Sequence, residues 1–159
     1  MTDYTKFNLA DFDERQKQVK TKGTVIALWV FAALSAVNAT VSDFVHWTSG
    51  FGASCLFFGA AAMVYAIYTA RKDSCFPVNE KDLNTMKITL AASLIIFAGV
   101  LGGFLPELLA GELAENLNED GSIRTSAMML AGSGLYCIGS IISCVTYSRR
   151  KKAEESEKG

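Results

Sequence analysis

Four long stretches without a single charged side chain constrain this chain more than anything else in it. No Asp, Glu, Lys or Arg occurs between Lys22 and Asp43, between Asp43 and Arg71, between Lys87 and Glu107, or between Arg124 and Arg149. The apolar windows are Gly23–Ser42, Gly50–Ala70, Ile88–Leu105 and Thr125–Tyr147. At about 1.5 Å rise per residue, a helix of roughly 20 residues matches the roughly 30 Å hydrocarbon core of a bilayer. A helix on the surface of a soluble protein keeps one polar face wet. These windows are apolar all round, and 159 residues cannot bury four of them in protein. The expected architecture is all-α: an integral membrane four-helix bundle with four transmembrane helices. It divides into a juxtamembrane arm (1–22), a transmembrane domain (23–148) and a charged tail (149–159).

Lysine and arginine placement predicts the orientation. The arm carries Lys6, Arg15, Lys17, Lys20 and Lys22, the second connection Arg71, Lys72, Lys81 and Lys87, and the tail Arg149, Arg150, Lys151, Lys152 and Lys158. Fourteen of the fifteen basic residues thus fall on one side, with only Arg124 on the other. By the positive-inside rule that side is cytoplasmic, with both termini in it. The opposite side holds Asp43, Glu107, Glu112, Glu115, Glu119 and Asp120. A cleaved secretory signal ending at Val37-Asn38-Ala39 is the competing reading, but the arm and the apolar run before it are both longer than such signals.

Local signals refine the connections. Asp11 with Glu14 forms a capping pair, and Phe12, Gln16 and Val19 share a face, so a helix in the arm should run on into the first span. Its basic residues would meet anionic lipid. The first connection, Asp43 to Ser49, is short and makes a tight hairpin, with Trp47 at the headgroup level. Asn79 is placed to cap a third helix that starts before Met86. Pro106 is expected to end or kink that helix. Around and beyond it, Leu105, Leu108, Leu109, Leu113 and Leu117 share one face, with Glu107, Glu112, Glu115 and Glu119 mostly elsewhere. That pattern predicts a short amphipathic helix on the outer surface. Ser122 or Thr125 would cap the last helix, and the tail from Ala153 is expected to be disordered.

The candidate functional residues are helix-packing residues. Gly99 and Gly103 form a G-x-x-x-G pair beside Gly102, where small side chains let two backbones approach; a contact within the bundle is the favoured reading over one between copies. In the fourth span Ser133, Cys137, Ser140 and Cys144 share a face, with Gly132, Gly134 and Gly139 nearby. Cys137 and Cys144 are seven residues apart, about 10 Å along a helix, too far to share a metal ion, so this is read as a packing stripe. Asp43 and His46 lack a third ligand, and no metal or cofactor is expected. Cys55, Cys137 and Cys144 lie in spans and Cys75 between them, so no disulfide framework is expected. Asn38, deep enough in a span to need a partner, should find one on a neighbouring helix.

Proton- and ion-coupled transporters keep ionisable groups inside the bilayer, and these spans have no carboxylate or cationic side chain. The chain has no P-loop, H-E-x-x-H or G-x-S-x-G, and its one histidine forms no nucleophile–base pattern, so it is not expected to be an enzyme.

Asp13-Glu14-Arg15-Gln16, then Val64-Tyr65-Ala66-Ile67-Tyr68 and Lys72-Asp73-Ser74-Cys75-Phe76-Pro77-Val78-Asn79-Glu80, resemble a group of small uncharacterised membrane proteins of Gram-positive bacteria. The resemblance covers about the first half of the chain. It implies a bacterial plasma membrane and carries no mechanism. Cys75 and Pro77 depart from it, standing where an aromatic and a small or apolar residue are expected.

Two functions fit these readings. One is a non-enzymatic accessory protein acting through helix packing and cytoplasmic segments, with the bilayer and a membrane protein or second copy as partners and no nucleic acid. The other is a small oligomeric transporter or channel in which Asn38 and the fourth-span serines line a shared axis.

Overall fold

In the computed structural model, residues 14–72, 82–109 and 122–157 are described. They form four helices: α1 (Glu14–Ser42), α2 (Gly50–Arg71), α3 (Asp82–Leu109) and α4 (Thr125–Glu157). Among the described residues there is no strand, only a single parallel bridge between Thr48 and Ile123. All four helices are long and apolar enough to cross a membrane.

Each expected window lies inside one helix. Helix α1 starts at Glu14 and continues without a break through the apolar window, so arm and first span are one element. Helix α3 starts at Asp82, before Met86, as expected. The Asp11 and Asn79 caps and the acidic leucine-faced segment over 110–121 lie outside the described residues.

Two helix ends bear on expectations. Of the two alternatives for Pro106, an end is excluded, since α3 continues to Leu109. A proline ring presses on the carbonyl four residues earlier, here that of Gly102, and removes one helical hydrogen bond. Gly102 and Gly103 leave that turn free of side-chain crowding. The second end, in the tail, differs from expectation: α4 is helical to Glu157. Its sequence from Arg149 is Arg-Arg-Lys-Lys-Ala-Glu-Glu-Ser-Glu, almost entirely strong helix formers, so the helix of the span propagates into it.

The helices stand in the spatial order α1, α2, α4, α3: α1 packs on α2, α2 most extensively on α4, and α4 on α3. The centre of the molecule is therefore the α2/α4 contact, with α1 and α3 as flanks. The paired positions advance together along both helices. Gly52 lies against Thr125, Gly59 against Gly132, and Ala66 against Gly139. Advancing in the same sense, they make α2 and α4 parallel, as two down-strokes of an up-and-down chain must be. Small residues seven apart on both helices match the period of a left-handed supercoil, which keeps one seam facing its partner along its length.

Candidate functional site

The α2/α4 seam is where backbones come closest. A Cβ on Gly59 would lie 2.7 Å from the Gly132 Cα, and a Cβ on Gly132 would lie 2.7 Å from the Cys55 carbonyl carbon. No side chain fits there without pushing the helices apart. The ends of the seam are only slightly looser. A Cβ on Gly52 would stand 3.2 Å from the Thr125 Cα, and one on Gly139 would stand 3.1 Å from the Ala66 Cβ and the Met63 Cα. In lipid, where apolar burial drives little, such close approach supplies helix–helix attraction through van der Waals contact.

A polar clasp closes the seam at the end where α2 and α4 begin. Ser49 is the N-cap of α2, its hydroxyl accepting from the Gly52 N–H at 3.0 Å. The same Oγ lies 2.6 Å from the Thr125 hydroxyl at the start of α4. Thr125 thus begins α4 with its hydroxyl engaged across the seam. The Ile123 N–H donates to the Trp47 carbonyl at 2.6 Å, and the Thr48 hydroxyl donates to the Ile123 carbonyl at 2.9 Å. Thr48 and Ser122 are both buried. These bonds satisfy backbone groups that would otherwise stay open where the two helices begin.

Trp47 ties α1 into the clasp. Its Nε1–H donates to the Asn38 Oδ1 at 2.7 Å, and its ring packs 6.4 Å from that of Phe57 on α2. Asn38 therefore has its partner in the connecting segment, not on a neighbouring helix. It lies one turn before the end of α1, close enough for the chain leaving that helix to fold back on it. Ser42 also donates to Asn38 Oδ1, at 3.5 Å.

The remaining candidate residues divide into two groups. Gly132 and Gly139 are in the seam, and Cys137, Ser140 and Cys144 are buried on α4. Ser133 is half-buried and donates to the Leu130 carbonyl, and Ser140 donates to that of Tyr136. Both hydroxyls are thus engaged by their own helix. Gly99 and Gly103 behave differently: a Cβ at either, or at Gly102, would meet nothing within 4 Å. Among the described residues, the contact within the bundle favoured for this pair is not formed. Helix α3 instead turns Ser93, Phe97 and Phe104 inward; Ser93 and Phe104 are buried, and Phe97 approaches Gly134 of α4. The glycines lie off that face.

Asp43 and His46 are exposed, and among the described residues no three His, Cys, Asp or Glu side chains converge to hold a metal ion. Among the described residues, Cys55, Cys137 and Cys144 form no disulfide. Sequence reasoning missed Gly52, Gly59 and Ala66 and the clasp residues Ser49 and Thr48. The signal for the first three was a seven-residue repeat of small residues, visible only when α2 and α4 are read side by side.

No family model matches the chain, and neither the curated proteins nor the solved structures provide a match.

Proposed function

We propose that this chain is a multi-pass protein of a bacterial plasma membrane, with both termini cytoplasmic. In this reading it is a non-enzymatic accessory protein that binds a larger membrane partner through its flanking helices. The insertion and orientation are supported by the four charge-free helices and by the basic residues gathered at one end.

The observation that carries the accessory role is the uneven use of helix surface. Helix α1 touches little besides α2, and α3 little besides α4. None of the most apolar window of α1 is buried, and Trp29 in its middle is 72% exposed. Large apolar side chains on α3, such as Ile95, Ile96 and Leu101, are likewise exposed. A central pair built for close packing thus carries two helices whose outward faces stay available to lipid or protein. The channel reading receives less support, because Asn38 is engaged by Trp47 and Ser133 and Ser140 by their own helix.

Photo-crosslinking in native membranes tests the reading. A crosslinker replacing Trp29 or Ile95 should give a discrete adduct with one other membrane protein, and one replacing Met63 in the seam should give none. A protein that stays a lone monomer at all three positions would overturn the accessory role.

A further inference from the structure

The same register that builds the seam also assembles a basic rim. Gly23 on α1 lies against the rings of Tyr65 and Tyr68 on α2, where a Cβ would stand 3.1 Å from Tyr68 Cδ1 and 3.2 Å from Tyr65 Cδ2. This sets the levels of α1 and α2. The Ala66–Gly139 contact sets the level of α4 against them. From that common level, Arg71 and Lys72 lie roughly 6–9 Å further along α2. On the same rise, Arg15 lies about 12 Å further along α1 and Arg149 about 15 Å further along α4. All four side chains are exposed, as are Lys22 and Lys152 on either side of this band.

Cations from three helices and both hairpins therefore collect within a shallow layer at one end of an uncharged apolar body. In the segments that form this end, cations outnumber carboxylates fourteen to ten. Glu14 is 3.8 Å from Lys17, and the carboxylates of the tail begin at Glu154, past Lys152. The opposite end is unlike it: its charged and titratable residues within the described segments are Asp43, His46, Glu107 and Arg124. Tyr65 and Tyr68 sit just inside the basic layer, where amphipathic rings favour the headgroup boundary. A layer about as deep as a bilayer interface, cationic on balance and bordered by tyrosine, complements phosphate headgroups bearing net negative charge.

We propose that this rim, Arg15, Arg71, Lys72 and Arg149 above all, binds anionic phospholipid headgroups and holds a shell of them around the protein. The proposal rests on the membrane reading and is independent of any protein partner. It makes the basic end a lipid-selective surface, beyond its part in setting orientation.

The full chain is reconstituted in vesicles of equal phosphatidylcholine and phosphatidylglycerol, extracted in mild detergent, and its retained lipid counted by native mass spectrometry. Retained lipid should be enriched in phosphatidylglycerol by about fivefold or more, an effect that one surface cation can supply. Replacing the four residues together (Arg15→Gln, Arg71→Gln, Lys72→Gln, Arg149→Gln) should return the ratio to that of the vesicle, as should raising salt well above 0.15 M. Arg124→Gln at the opposite end should leave the enrichment intact. Circular dichroism of the quadruple variant, matching the parent, shows that the change is not unfolding. Equal retention of both lipids by the parent chain would overturn the proposal and leave the membrane reading standing. Failure to float with vesicles of either composition would remove both.

Discussion

Two glycine-bearing faces of this molecule do opposite things. On α2 and α4, Gly59 and Gly132 bring two backbones into contact; on α3, Gly99, Gly102 and Gly103 face open space. Composition does not separate them, since α3 carries more glycine on its face than either helix of the seam and has the G-x-x-x-G spacing. The difference is whether a matching small position exists at the same level on a helix running alongside. Gly52, Gly59 and Ala66 find Thr125, Gly132 and Gly139 at the same seven-residue interval. Among the described residues the glycines of α3 have no such counterpart; that helix meets α4 on the face that carries Phe97, which approaches Gly134. A small-residue motif is thus a statement about a pair of helices and cannot be scored on one.

The comparison can be broken most forcefully at Gly132. Gly132→Leu must separate α2 from α4, and we expect a loss of about 3 kcal/mol or more, as for overpacking at a site that cannot yield. Gly102→Leu on the open face should cost almost nothing. SDS-titration unfolding of the two variants measures both; similar losses would erase the distinction between the faces. Removing the clasp at the end of the seam comes next. Trp47→Phe keeps the ring against Phe57 but leaves Asn38 Oδ1 without its 2.7 Å donor, a cost of about 1–2 kcal/mol. If Asn38→Leu combined with Trp47→Phe is no better than the sum of the two single changes, the bond between them is not real. Ser49→Ala removes a helix cap and the contact with Thr125, and about 1 kcal/mol should be lost in the same titration. The smallest effect is expected at Gly99→Ala. With nothing within 4 Å, it should be neutral or stabilising by about 0.5–1 kcal/mol, since alanine is the better helix former.

Much of the fold could be read directly from the chain. Four charge-free windows mark the four apolar helices because length and charge are local properties. The start of α3 at Asp82 and the continuity of α1 followed from local signals as well. What could not be read was order in space. Nothing local says that α2 and α4 form the centre and α3 a flank, so the glycines of α3 drew attention and Gly59 did not. Asn38 shows the same limit: its need for a partner was plain from its depth, but the partner came from the connecting segment. At Pro106 the alternative of a helix end is excluded, and the tail differs from expectation because a run of Lys, Ala and Glu carries the helix onward.

The central claim is that α2 and α4 pack in parallel along a seam that pairs Ala66 with Gly139. A Cβ on Gly139 would lie 3.1 Å from the Ala66 Cβ, a separation that a small adjustment brings into disulfide range. The direct measurement is oxidative crosslinking of Ala66→Cys with Gly139→Cys, in a background lacking the four native cysteines, with the linked peptides read by mass spectrometry. The account predicts rapid, near-complete linkage of this pair and none between Gly52→Cys and Gly139→Cys. Linkage of the second pair in place of the first would mean an antiparallel or unregistered contact and would contradict it.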